Sequence, residues 1–226
     1  MQSSSTTHRI EVAPGRTVVA RVRPGEGVPI VFLHGLFSSS ETWTRVCSEL
    51  DRPSIAFDLP GFGDSDPAGR GVAATADAIA AAIRALGLER FELVGHSFGG
   101  AVAARVAELL PERIASLLLL APAGFGRLAT AFRSAASVYK GSVTAVIGTC
   151  DRIVRPRHGN GVMSLFPGAE VLLLTGAGHH LQADRQDALL ELIATGRVAD
   201  GCRRARRRIR RRFFPVPQLK ARVRFA

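Results

Sequence analysis

Gly95-His96-Ser97-Phe98-Gly99-Gly100 lies between an apolar run, Phe91-Glu92-Leu93-Val94, and an alanine-rich run, Ala101 to Leu110. The first run reads as a strand and the second as a helix, so GHSFGG must turn the chain from one into the other within a few residues. The G-x-S-x-G spacing has a steric reason. Where a strand and a helix meet this closely the flanking positions tolerate no side chain, and the residue between them is forced into strained backbone. Ser97 is that residue. It is pushed above the sheet edge, at a helix N-terminus where unpaired amides favour negative charge. A serine hydroxyl so placed becomes a nucleophile only if a base stands within hydrogen-bond reach.

Outward from the turn, apolar runs alternate with helical patterns. Upstream, Arg9 to Val12 and Thr17 to Val22 flank a Pro14-Gly15 turn and suit a hairpin. Val28 to Leu33 is continuously apolar, as a strand buried on both faces is, and runs into His34-Gly35. A helix is expected over Glu41 to Leu50, with Ser38 to Ser40 offering N-cap oxygens. Ser54 to Phe57 is the next strand, followed by the turn-rich DLPGFGDS, Asp58 to Ser65. Val72 to Leu86 reads as a helix closed by Gly87. Downstream, Ile114 to Leu120, Ser142 to Ile147 and Glu170 to Leu174 read as strands, and Ala183 to Ala194 as a closing helix. This alternation predicts an α/β fold, with a mostly parallel central sheet and helices on both faces.

Charge divides the chain. Of its 30 Lys and Arg, 11 fall in the stretch from Gly201 to Ala226, which holds none of the 19 acidic residues. The formal charge of +11 therefore belongs wholly to that tail, and residues 1–200 are formally neutral. A single domain over 1–200 and a disordered Arg-rich tail over 201–226 are expected. The tail could meet an anionic partner, RNA or a membrane surface, through Arg203 to Arg212 with Phe213 and Phe214 as apolar anchors. Apolar runs are too short to cross a bilayer. No secretory leader is visible, and Cys47, Cys150 and Cys202 show neither disulfide nor metal spacing. A cytoplasmic protein with free thiols is expected, with Cys150 read as a buried small thiol.

Four motifs together carry a family resemblance: LHGLFSS (Leu33 to Ser39), DLPGFGDS, GHSFGG, and the pair GTCD (Gly148 to Asp151) with GAGHH (Gly176 to His180). In these the chain resembles the α/β-hydrolase fold superfamily over about Thr17 to Ala194, with GHSFGG as its nucleophile elbow. That family orders its triad Ser, acid, His, each at the C-terminal end of a strand. The resemblance implies Ser97 as nucleophile, Asp151 as acid and His179 as base, the G-x-G-H spacing favouring His179 over His180. It implies an oxyanion hole from the backbone N–H groups of Phe98 and Leu36, with Phe37 as the alternative. The implied activity is hydrolysis of a carboxylic ester or thioester with no cofactor and no metal. Imidazole suits the base because its ordinary pKa lets it take a proton and return it near neutrality.

Against the family, the interval from Ala121 to Gly141 is short, with room for about one helix where many members insert a cap. An open pocket is expected, walled by Leu36, Phe37, Phe98, Phe125 and Phe132. Ala121 to Gly126 also resembles the hydrolase-like domains associated with acyltransferase components. His34 and His96 read as structural rings, Trp43 as packing between the first helix and the sheet, Asp51, Asp58 and Asp64 as helix N-cap or surface-turn aspartates, and DLPGFGDS as scaffold. Two other classes stay open: a non-catalytic member that only binds, and an anion-binding protein working through its tail.

Overall fold

The computed structural model describes residues 5–126 and 132–195. The basic segment from Gly201, with every expectation placed on it, lies outside the described residues. An eight-stranded sheet forms the centre: β1 (Thr6–Ala13), β2 (Arg16–Arg23), β3 (Ile30–Leu33), β4 (Ser54–Phe57), β5 (Phe91–His96), β6 (Ile114–Leu120), β7 (Ser142–Gly148) and β8 (Glu170–Leu174). Their spatial order is β1-β2-β4-β3-β5-β6-β7-β8. β1 and β2 form the expected antiparallel hairpin and β2 pairs antiparallel with β4; every later pairing is parallel.

Strand β3 shows why its sequence is apolar without alternation. Val31 and Leu33 join the core that contains α2 (Gly71–Ala85) and α3 (Phe98–Leu109). Ile30 and Phe32 face the other way, into a core shared with Trp43 and α7 (Gln186–Thr195). Neighbouring residues of a strand point to opposite faces, so covering both faces makes all four apolar. The rings of Phe32 and Trp43 lie 5.0 Å apart, and Trp43 is buried.

Three helices differ from expectation. The one expected over Glu41 to Leu50 is a 3-10 turn, Ser40–Trp43, followed by α1 (Thr44–Ser48), with Ser39 as N-cap. The Arg23 guanidinium donates to the carbonyls of Cys47 and Leu50 at the helix end. The closing helix is two: α6 (Leu181–Asp184) and α7, separated by Arg185. Asp184 turns back to accept from the Gly178 N–H at 2.7 Å, and Arg185 donates to the Thr175 carbonyl at 2.6 Å, so the break ties the helix to the preceding loop. The elbow helix starts at Phe98, not Ala101, and so includes Gly99 and Gly100. Between β6 and β7 the described residues hold α4 (Arg133–Val138), and after β7 comes α5 (Gly159–Leu165), which was not expected.

Sheet growth changes direction at β3: β4 is laid on one side and β5 on the other. In an open α/β sheet the crevice for ligands forms outside the carboxyl ends of the strands at such a point. The chain ends there are Leu33-His34 and His96-Ser97.

Candidate active site

Ser97 has φ 52° and ψ −115°, a left-handed conformation for a residue with a side chain. Such strain costs about 1–3 kcal/mol and persists only where the surroundings over-determine it. Here they do. The Ser97 N–H donates to Leu120 at 2.9 Å, and its carbonyl accepts from Ala123 at 2.9 Å and Gly100 at 3.0 Å. A Cβ on Gly95 would stand 2.4 Å from the Gly99 carbonyl oxygen, and one on Gly99 would stand 2.4 Å from that of His34. Both contacts are with backbone, which cannot step aside. Two glycines in α3 are weak helix formers; Gly99 provides close approach to β3 and Gly100 close approach to Pro122.

His179 stands on the loop after β8, with Nε2 3.0 Å from the Ser97 hydroxyl and Nδ1 2.8 Å from Oδ2 of Asp151. Asp151 follows β7, its side chain fully enclosed, and its Oδ1 accepts from the N–H groups of Ile153 at 2.8 Å and Val154 at 2.9 Å. A carboxylate only accepts, so Nδ1 of His179 carries the proton and Nε2 presents a lone pair to the serine. The loop is clamped from beneath: Nε2 of His96 donates to the His179 carbonyl at 2.8 Å. Burial pushes the His96 pKa down to about 4, against the raising effect of that carbonyl bond, so the ring is a neutral donor. Gly148 makes room for the same loop, since a Cβ there would meet the carbonyl oxygens of Ala177 and Gly178 at 2.3 Å. His180 is exposed and hydrogen-bonds neither Ser97 nor Asp151.

The loop after β3 lies against Ser97, for a Cβ on Gly35 would be 3.3 Å from the Ser97 Cβ. His34 fixes this loop. Its Nδ1–H donates to the Gly35 carbonyl at 2.7 Å and its Nε2 accepts from the Leu59 N–H at 2.9 Å. Burial lowers its pKa, consistent with a neutral ring. Leu59 belongs to DLPGFGDS, whose Asp58 is buried and accepts from the N–H groups of Ser40 at 2.6 Å and Asp64 at 3.0 Å. Leu36 and Phe37 follow, half-exposed and 93% exposed, Phe37 at φ 59° with its ring edge-on to Phe62. The Phe98 N–H opens α3, where no carbonyl of the helix can reach it.

Beside Ser97 and Asp151 lies a cavity of about 750 Å³ lined by Ala123, Phe125, Ile153, Val154, Arg157, His158 and Asn160, with Gly124, Gly126 and Gly161. Phe125 reaches this wall although it is otherwise buried. Leu36, Phe37 and Phe98, also expected as walls, do not line it, and neither does Phe132. Its ring stacks behind Phe125, centroids 4.7 Å apart, inside the core beneath the elbow helix. Cys150 is exposed, contrary to expectation, because the chain leaves the sheet at Gly148; Cys47 is the buried thiol. The cavity residues of α5 and the turn before it were missed. The only signal for them was the cluster Arg155-Pro156-Arg157-His158, close behind Asp151 in the chain.

Fold, elbow and strand-end loops together define the class, and comparison agrees with it. The family described as alpha/beta hydrolase fold matches residues 28–136. The chain has the α/β-hydrolase fold. It is 37% identical over 113 residues to the dihydrolipoyllysine-residue acetyltransferase component of an acetoin cleaving system from Cupriavidus necator, a match covering 48% of this chain and 30% of that protein. The chain thus spans less than a third of such relatives. A CIB-like hydrolase from Thermoplasma acidophilum superposes with TM-score 0.73 at 20% identity, over 84% of this chain and 96% of that one. An esterase from a Rhodococcus species does so with TM-score 0.70 at 20% identity, over 84% and 98%. At these identities the structural likeness is one of fold.

Proposed function

We propose that this chain is a serine hydrolase that cleaves a carboxylic ester or thioester through an acyl-enzyme. The observation that carries the reading is the unbroken line from the Ser97 hydroxyl through His179 to Asp151, at 3.0 and 2.8 Å. Ser97 Oγ adds to the acyl carbon as its proton passes to Nε2 of His179. Asp151 holds the imidazole in the accepting tautomer and stabilises the imidazolium that forms. The N–H groups of Phe98 and Leu36 take the developing oxyanion, a donor set of the kind worth about 3 kcal/mol each in such reactions. Collapse breaks the bond to the alcohol or thiol, which leaves with the proton from His179. Water then adds to the acyl carbon by the same base, and the acid departs as Ser97 regains its proton.

Phe37 and Leu36, exposed beside the nucleophile, and Phe125 in the cavity wall give apolar contact for the acyl group. The reading requires no metal or cofactor. The esterase among the structural relatives supports the hydrolytic class. A reducing cytoplasm suits the unpaired Cys47 and Cys150. Labelling with a fluorophosphonate tests the proposal: Ser97 is modified, and Ser97→Ala abolishes both labelling and hydrolysis of 4-nitrophenyl acetate while unfolding as cooperatively as the wild type. Undiminished hydrolysis in that variant refutes the mechanism. A folded chain that never labels supports a binding protein instead.

A further inference from the structure

We propose that the ester cleaved by this chain carries a carboxylate or phosphate group, bound by Arg157, His158 and Asn160 in the cavity beside the triad. This rests on the serine-hydrolase reading and adds the substrate's charge to it. The cavity shares its wall with the backbone that holds Ser97 and Asp151. Ala123, in its wall, donates its N–H to the Ser97 carbonyl, and Ile153 and Val154 donate theirs to Asp151. Its lining offers an acyl chain Phe125, Ile153 and Val154 for apolar contact together with a guanidinium, an imidazole and an amide.

Those three side chains all offer N–H donors, and no acidic side chain lines the cavity among the described residues. Arg152, Arg155 and Arg157 stand within seven residues, all exposed, and none forms an ion pair among the described residues. The one carboxylate close by, Asp151, is fully occupied with both oxygens bonded and its side chain enclosed. His158 reports the resulting field. Its pKa is lowered by partial burial first and then by Arg157 and Arg155, which outweigh the pull of Asp151. The ring lies over Gly126, where a Cβ would stand 3.3 Å from its Cδ2 and Nε2. A cationic pocket with no acidic side chain among its described lining residues, next to an acyl-transfer site, fits an aliphatic chain that ends in an anion.

The full chain is assayed with three 4-nitrophenyl esters of similar acyl length: the neutral pentanoate, the hydrogen glutarate and the 4-phosphonobutanoate. The expected kcat/KM is about ten-fold higher for an anionic ester than for the neutral one, the effect of one charge-assisted contact, and appears chiefly in KM. Arg157→Gln brings this ratio towards one, and added salt reduces it in the wild type. The better of the two anionic esters tells carboxylate from phosphate. A wild-type ratio of one or less, or a ratio that Arg157→Gln leaves intact, overturns the proposal. If Ser97 labels and the pentanoate is hydrolysed without anionic preference, only the anion site falls. If nothing labels and no ester is cleaved, both readings fall together.

Discussion

Replacing Asp151 by asparagine exchanges an oxygen for an amide nitrogen and, with this geometry, reverses the tautomer of His179. The N–H groups of Ile153 and Val154 point at Oδ1 from 2.8 and 2.9 Å, so an asparagine must set its carbonyl oxygen there. Its amide nitrogen then takes the Oδ2 position, 2.8 Å from Nδ1 of His179. An amide nitrogen only donates, so Nδ1 must accept and the imidazole proton moves to Nε2. That N–H faces the Ser97 hydroxyl at 3.0 Å and has no lone pair to receive a proton. Turning the amide round restores the working tautomer but leaves two backbone donors without an acceptor. At about 1–3 kcal/mol for each buried unsatisfied group, the turn costs about 2–6 kcal/mol. Loss of the carboxylate's hold on the imidazolium adds to this, giving a fall in kcat of roughly 10³- to 10⁴-fold. Asp151 is enclosed and touches no substrate, so KM for 4-nitrophenyl acetate stays near that of the wild type. Steady-state hydrolysis measures both constants, and thermal unfolding verifies that the variant is folded. A folded Asp151→Asn enzyme within ten-fold of the wild-type kcat refutes the tautomer reasoning.

Gly99→Ala puts a methyl group 2.4 Å from the His34 carbonyl oxygen and 2.5 Å from that of Leu33, so α3 must back away from β3. A loss of about 3 kcal/mol in urea unfolding is expected, together with lost fluorophosphonate labelling, and native stability contradicts the packing reading. His96 titrates at about 4 when folded but near 6.5 when unfolded, so its stabilising contribution is complete above pH 6.5 and is lost as pH falls towards 4. That loss amounts to about 3 kcal/mol; His96→Gln, which keeps a donor for the His179 carbonyl but cannot titrate, should flatten the stability curve across this window. A variant curve parallel to the wild type contradicts this. In a Cys202→Ser background, Cys150 is exposed and should react rapidly with a disulfide reagent, whereas burial holds the Cys47 thiol protonated and slow until unfolding. The opposite order of reactivity contradicts the burial assignments.

Residues whose sequence signal is local were legible before any coordinates. Ile114–Leu120 and Glu170–Leu174 are strands with the limits read from the sequence, because both are short apolar runs bounded by polar or turn residues. Gly87 has φ 67° and follows α2, as a helix-ending glycine does. Elements decided by distant neighbours were not legible. Gly99 and Gly100 look like turn residues but are helical, since the carbonyls of β3 and the ring of Pro122 stand where side chains would go. The helix α5, Gly-Asn-Gly-Val-Met-Ser-Leu, has two glycines and no apolar period, so nothing in its own seven residues announces it. Phe125 and Phe132 are alike in composition and setting, and only their stacking decides which reaches the cavity and which backs it.

The candidate site divides along the same line. Placing Ser97, Asp151 and His179 after β5, β7 and β8 needed only the motifs, because each follows a run that reads as a strand. Their convergence is a property of sheet order: β7 and β8 stand second and third from β5, so their loops must travel back over the rim to reach the elbow. What brings them there is glycine and backbone, through the bare Cα of Gly148, the carbonyl of His179 held by His96, and Asp184 reaching to Gly178. None of these carries chemistry, and none would be singled out by a search for reactive residues. The positive field around Arg157 is the converse case. It was written plainly in the sequence as a cluster of bases, but its meaning depended on a wall shared with Ala123, Ile153 and Val154, which only the fold assembles.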